Sequence, residues 1–265
     1  MLFSKKSVLI AALSTLATIG YAGSAHAINF TVTTGTTGLN GETNQGAFSE
    51  FSSLANTVTV DFNSGQVPSD GFAKYSFVGN GSSSVRADMW APVGANGEKN
   101  DSNYLAVFNG KDVVIQLDDY LNYFGINWGA AHTGNIYSFY NGDSLVASFS
   151  TADIDAAGGF ALYSPLHPGS NEDGAKLVNS KYYQGNGYVH FYSTSSDDIF
   201  NKIVISQVGG GGFETDNHSF HKGTGRFTGF DSKSVPEPSA ALGMLAIGGV
   251  FLRKRKHRKS VELAS

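Results

Sequence analysis

Asn135-Ile136-Tyr137-Ser138-Phe139-Tyr140-Asn141-Gly142-Asp143-Ser144-Leu145-Val146-Ala147-Ser148-Phe149 reads as two strands joined by a tight turn. Leu145, Ala147 and Phe149 alternate with Ser144, Val146 and Ser148. This two-residue period gives a strand one apolar and one more polar face. Asn-Gly between two such runs tolerates the positive φ angles of a short hairpin. The pattern recurs on both sides. Val58, Val60 and Phe62 alternate with Thr57, Thr59 and Asp61; Val189 and Phe191 are flanked by Tyr188, His190 and Tyr192. Ile203 and Ile205 are flanked by Lys202, Val204 and Ser206. Residues 28–34, 73–78, 84–89, 104–108, 113–117 and 123–128 add further strand candidates, with Asn80-Gly81, Asn96-Gly97, Asn109-Gly110 and Asn186-Gly187 as turn signals. Helical periodicity is nearly absent. Only Thr151-Ala152-Asp153-Ile154, capped by Ser150 or Thr151, has the start of a helical turn. The body is therefore expected to be all-β, an antiparallel β-sandwich of jelly-roll type, with polar loops at 36–44, 93–102 and 167–180.

Composition narrows the chemistry. The 265 residues contain no cysteine, which excludes disulfides, thiolate metal sites and a cysteine nucleophile. Thirty-three glycines show no three-residue period, so collagen is excluded. Charged residues make up 15% and aromatics 12%, a balance that opposes both disorder and long helices. The net charge of −4 conceals an uneven distribution. Without the two lysines of the first 27 residues and the six basic and two acidic residues after position 235, the body carries 10 basic against 20 acidic residues, a net charge of −10. Such a body disfavours nucleic acid, which calls for clustered Lys and Arg against phosphate.

The two ends read as addresses. Lys5 and Lys6 precede an apolar stretch over 8–22, followed by Ala25-His26-Ala27, the small-x-small pattern a signal peptidase cleaves. Residues 1–27 are expected to be a signal helix, and the mature chain to begin at Ile28. At the other end, Val235-Pro236-Glu237-Pro238-Ser239 leads into the apolar run 240–252 and then Arg253-Lys254-Arg255-Lys256-His257-Arg258-Lys259. The two prolines keep that segment extended. Thirteen residues make a helix of about 20 Å against a hydrocarbon core of about 30 Å. A single span there needs a thinned bilayer or snorkelling of Arg253 and Lys254. The basic cluster, with Arg255, Lys256, Arg258 and Lys259, places the C-terminus in the cytoplasm. The expected organisation is a signal peptide over 1–27, a body over 28–234, a sorting segment over 235–259 and a tail over 260–265.

The Val235-Pro236-Glu237-Pro238 motif, the short glycine-containing apolar helix and the Arg/Lys tail together resemble the PEP-CTERM sorting signal of Gram-negative bacteria. The resemblance implies recognition by an exosortase, cleavage near Pro236-Glu237-Pro238, a transient stay at the inner membrane, and release to the cell surface or the exopolysaccharide matrix. Thr59-Val60-Asp61-Phe62-Asn63-Ser64-Gly65, Phe124-Gly125-Ile126-Asn127-Trp128-Gly129, Ser138-Phe139-Tyr140-Asn141-Gly142 and Phe213-Glu214-Thr215-Asp216-Asn217 are similar to segments in the bodies of such proteins, and assign no catalytic residue.

Glu214, Asp216 and Asn217 form an oxygen-rich cluster of the kind calcium accepts, with Asp61 and Asn63 as further donors if the chain ends meet. No cofactor is expected; calcium is the one candidate, and a turn with capping side chains is the alternative reading of the cluster. His218 and His221 are three apart in a strand-like segment and need not share a face. Asp118-Asp119 and Asp197-Asp198 are adjacent, so in a strand each pair points to opposite faces. No Gly-x-Ser-x-Gly occurs, and 209–212 is a glycine loop without a phosphate-binding context. Tyr123, Trp128, Tyr137, Tyr140, Tyr182, Tyr183, Tyr188 and Tyr192 offer either core filling or a stacking platform for sugars. The expected function is a non-enzymatic structural or adhesive domain of the surface. A carbohydrate-binding module for exopolysaccharide is the alternative, and a jelly-roll polysaccharide hydrolase or lyase the second.

Overall fold

The computed structural model describes residues 28–232. Ala25 and Ala27 of the expected leader, the Val235-Pro236-Glu237-Pro238 motif, the apolar run and the Arg253 to Lys259 tail lie outside the described residues. Among the described residues no helix is long and apolar enough to cross a membrane.

The described chain is all-β, with every ladder antiparallel. Its strands in order are β1 (Ile28–Thr33), β2 (Thr57–Val60), β3 (Ala73–Gly79), β4 (Ser84–Arg86), β5 (Tyr104–Val107), β6 (Lys111–Gly129), β7 (Asn135–Asn141) and β8 (Ser144–Ser150). After the short helix α1 (Thr151–Ala156) come β9 (Leu162–Pro168), β10 (Ala175–Val178), β11 (Lys181–Ser193), β12 (Phe200–Gln207) and β13 (Phe213–Lys222). Ser150 caps α1 and forms a capping box with Asp153, as the local sequence predicts.

β6 organises the rest. The sequence suggests two strands here, because Asp118-Asp119-Tyr120 interrupts the apolar pattern. Instead one strand of 19 residues runs through them. Those three residues are exposed, and the ladder to β12 shifts register around them, from Lys202↔Gln116 to Phe200↔Leu121. The charged break is thus an irregularity inside a strand. Before it, residues 111–117 pair with β3 and β12; after it, residues 121–129 pair with β11 and β13. Each half of β6 is therefore central to its own group of strands.

The two groups meet through aromatic rings. Phe124 of β6 lies 5.9 Å from Tyr137 and 6.2 Å from Phe139, both on β7. Trp128 lies 5.5 Å from Tyr137 and 4.6 Å from Phe213. Phe191 of β11 lies 5.0 Å from Phe139 and 5.3 Å from Phe149 of β8. Alternate residues on each strand supply these rings, which is why the two-residue period was readable. Burying each such side chain stabilises by about 1.5–3 kcal/mol relative to exposure.

Two local expectations shift. Asn141 pairs with Ser144, so the hairpin loop is Gly142-Asp143, with Gly142 at φ 60°. A glycine with positive φ at the first loop position is the type II′ geometry. Asn186-Gly187, expected as a turn, lies inside β11, opposite Trp128 and Leu162. β10 also occupies part of the expected 167–180 loop.

Residues 121–129 of β6, and most of β11 and β13, are buried on both faces. The face away from the aromatic core carries Tyr123, Asn127, Tyr188, His190 and Asp216, and it is covered by loops. Ser49 Oγ shares a 2.6 Å hydrogen bond with Tyr123 OH, which shares one of 2.8 Å with His190 Nδ1. His190 Nε2 lies 3.1 Å from Glu50 Oε2. Asn127 Nδ2 donates to Val93 O at 3.0 Å. Phe227 stacks on Tyr123 with centroids 4.5 Å apart.

Truncating Phe124 to alanine removes a ring that touches both strand groups. The expected cost is about 3–5 kcal/mol. It is to be read as a lowered urea midpoint at an unchanged dependence on urea concentration; a midpoint equal to that of the parent protein contradicts the assigned core.

Candidate functional site

A cleft of about 440 Å³ opens where β4, β5, the turn after β6, β11 and the glycine loop before β13 come together. Arg86, Trp90, Tyr104, Phe108, Gln184 and Glu214 line it, beside Ala130, His132 and the Gly211-Gly212 backbone. Register explains why a carboxyl sits at its floor. Glu214 of β13 lies between Ala106 of β5 and Gly129 of β6, whose small side chains leave room for its carboxyl, with Pro92 packed on Gly129. Gly212 is required by close approach, because a Cβ there would overlap Glu214 Oε1. Ala130 holds φ 45°, a left-handed value that costs a non-glycine residue energy and that often accompanies functional sites.

Glu214 is 5% exposed. Burial pushes its carboxyl up to about 8; the Asp88 charge adds to the rise, while its own backbone N–H and the Arg86 guanidinium oppose it. At neutral pH the group is mainly the neutral acid. Tyr104 OH donates to Asp88 Oδ1 at 2.6 Å, and Trp90 N donates to the same oxygen at 3.0 Å. Burial and the Asp88 bond raise the Tyr104 phenol, so it stays protonated. Trp90 stacks on His167 at 5.8 Å and 26°. His167 is itself fixed against Asn186 Oδ1 at 3.0 Å and Met89 O at 3.2 Å. The Arg86 guanidinium lies 4.3 Å above the Phe108 ring. His132 is held at both nitrogens, by Glu172 Oε2 at 2.8 Å and Thr133 O at 2.9 Å. Gln184 is 6% exposed, and its Oε1 is buried without a hydrogen-bond partner.

The expected calcium donors take separate positions. Glu214 opens into the cleft, beside Asp88 and Arg86. Asp216 lies under the covering loops, where Asn100 Nδ2 donates to it at 3.0 Å, Ser102 Oγ at 3.4 Å and Asn217 N at 2.8 Å. Burial pushes the Asp216 carboxyl well up, and the charge of Asp61 adds to this. Asn217 Nδ2 donates to Gln45 O at 2.7 Å and Ala47 O at 3.0 Å. Asn217 has φ 46° and sits where the β13–β6 ladder slips by one residue, between Asp216 and Ser219. That bulge separates Asp216 and Asn217, under the loops, from His218 on the core side against Phe124 and Tyr75. His221 instead meets Asn122 Oδ1 at 2.8 Å, so the two histidines do not share a face. Among the described residues no group of three or more His, Asp or Glu side chains is arranged to hold a metal ion.

The aromatic platform needs correction. Tyr123, Trp128, Tyr137 and Tyr188 are fully buried and belong to the interior. Tyr140, Tyr182, Tyr183 and Tyr192 are partly exposed on β7 and β11. The rings that do line a cleft, Trp90, Tyr104 and Phe108, were not singled out by sequence, because 84–108 reads as ordinary strand and turn. Asp118 pairs with Lys74 at 2.7 Å, and Asp198 accepts from Thr194 N at 3.2 Å and Thr194 Oγ1 at 3.0 Å; both have local roles.

No protein-family model matches this chain, and no curated protein matches it.

Glu214 has a pKa raised in the folded state, so its contribution to stability is complete below about 4.5 and is lost as pH rises towards about 8. Glu214→Gln removes that titration. The variant is expected to match the parent near pH 5 and to exceed it above about pH 8 by on the order of a few kcal/mol. Urea unfolding of both proteins across this range checks it; parallel pH profiles would show that Glu214 ionises normally.

Proposed function

We propose that this chain is an exported PEP-CTERM-type protein of the cell surface or exopolysaccharide matrix, and that its jelly-roll-like β-sandwich binds a saccharide in the Trp90–Glu214 cleft. One observation carries the binding part: aromatic side chains and underused polar groups converge there. Trp90, Tyr104 and Phe108 share a concave site with the unpaired Gln184 Oε1 and the buried Glu214 carboxyl. A buried acceptor without a partner costs about 1–3 kcal/mol, and a ligand hydroxyl relieves that cost. Aromatic faces flanked by such groups suit sugar rings, whose faces are C–H-rich and whose edges are hydroxylated.

A binding rather than cleaving role fits the state of the side chains. Both nitrogens of His132 are engaged, Tyr104 is held protonated, and the Asp88 carboxylate is occupied by Tyr104 and Trp90. The sandwich reading is supported by the aromatic contacts between the two strand groups that share β6. Export rests on the Lys5-Lys6, apolar and Ala25-His26-Ala27 succession. Exosortase-dependent sorting rests on Val235-Pro236-Glu237-Pro238 with its apolar run and basic tail. Signal peptidase and exosortase are the processing partners in this reading.

Trp90→Ala is expected to weaken binding to the matrix polysaccharide by about tenfold or more, the worth of a lost aromatic face. Calorimetry on the two proteins tests it, and equal affinities overturn the cleft as the site. Mass spectrometry of surface-released protein is expected to find termini near Ile28 and near Pro236-Glu237-Pro238. A full-length chain confined to the cytoplasm overturns the sorting reading.

A further inference from the structure

We propose that the sugar bound in this cleft carries a carboxylate, a uronic acid residue whose carboxylate lies across the guanidinium fork of Arg86. The inference rests on the saccharide-binding reading above and specifies its ligand.

Arg86 comes first. The body is acidic; Lys74, Lys99, Lys202 and Arg226 each pair with an aspartate, whereas Lys111, Lys176, Lys222 and Arg86 lie over aromatic rings, and of these four only Arg86 lines the cleft. Arg86 has Asp88 two residues away and Glu214 in the same cleft, yet no ion pair or hydrogen bond engages its guanidinium among the described residues. One guanidinium face rests on Phe108 at 4.3 Å. That contact holds the guanidinium against the cleft wall, with its N–H donors free for a ligand. A planar fork of donors matches a carboxylate with two parallel hydrogen bonds.

Glu214 is the second observation. An ionised carboxylate at the cleft floor would repel a ligand carboxylate. The site instead buries Glu214 between Ala106 and Gly129, away from water. In its neutral form it has an O–H to donate, so Arg86 and Glu214 act on the same anion without charge conflict. Titratable groups come from every wall of the cleft. Asp88 and Arg86, after and on β4, act on its charge directly, and Tyr104 on β5 and His132 with its partner Glu172 are the other titratable groups around the cleft. Asp216, two residues along β13, is closed off under Asn100 and Ser102.

Gln184 Oε1 and Trp90 extend the match to the rest of a sugar. The first is an unpaired acceptor for a hydroxyl; the second is an indole backed by His167. A small aliphatic carboxylate or phosphate would use Arg86 alone. A uronate uses all four.

The test is calorimetry on the intact protein with trigalacturonate and trimannuronate, each compared with its full methyl ester. Near pH 6 at least one acid is expected to bind about tenfold or more tightly than its ester. Raising the pH to about 9.5 ionises Glu214 and is expected to weaken the acid, not the ester, by a similar factor. Glu214→Gln is expected to abolish that pH dependence, so that its affinity for the acid is the same at pH 6 as at about pH 9.5. Arg86→Gln is expected to erase the preference for acid over ester while the ester still binds. If acids and esters bind equally well, or if Arg86→Gln leaves the preference intact, the carboxylate assignment is wrong, and Trp90-dependent binding of the esters would still uphold the saccharide cleft. If no saccharide, charged or neutral, binds in a Trp90-dependent way, the cleft reading fails and this inference with it.

Discussion

The second half of β6 lies under cover on both faces together with most of β11 and β13, and that requirement shapes everything around them. One face is met by the aromatic side chains of β7 and β8. The other has no second sheet of rings to meet it, and its residues are polar: Tyr123, Asn127, His190, Asp216 and Asn217. Buried polar groups must find partners or they destabilise the fold. The long segments before β2, before β5 and after β13 supply them, by side-chain bonds such as Ser49–Tyr123 and by bare carbonyls at Gln45, Ala47 and Val93. These loops are structural members, fixed by the chemistry of the face they cover.

The cleft is what remains where this cover stops. Towards the start of β13 and the end of β6 the outward positions are small or bare, at Ala106, Gly129 and Gly212; Pro92 packs on Gly129, and the cleft opens beside it, towards Arg86 and Phe108. Glu214 is left as the buried carboxyl of that row that lines the cleft, while Asp216, one pleat further in, is sealed by Asn100 and Ser102. The same strand thus gives two carboxyls opposite circumstances. Burial keeps both protonated more readily than in water, and only one of them lines the cleft.

Much of the architecture follows from local sequence rules. The period-2 runs mark β7, β8, β11 and β12, and Ser150 marks the start of α1. Where the reading failed, a local signal was overruled by tertiary pairing. Asp118-Asp119 looked like the end of a strand, but neighbours on both sides hold the backbone extended across it. Asn186-Gly187 looked like a turn, but β6 and β9 both pair with it. The cleft was less accessible still. Its members come from sequence positions between 86 and 214, and nothing near Trp90 or Gln184 sets them apart until register brings them together. Glu214 is close in sequence to Asp216 and Asn217, yet one pleat along β13 is enough to put it at the cleft while the other two lie under the covering loops.

The cover over the outer face is stitched mainly by hydroxyls, amides and main-chain carbonyls, whereas the lysine and arginine ion pairs lie on the periphery. Neutral hydrogen bonds are little screened by dissolved ions, and exposed ion pairs contribute little to begin with. Swings between dilute and briny surroundings therefore leave this lining in place. The salinity of the medium acts instead on the half-buried guanidinium at the mouth of the cleft, so the shell and its opening respond to different features of the same water.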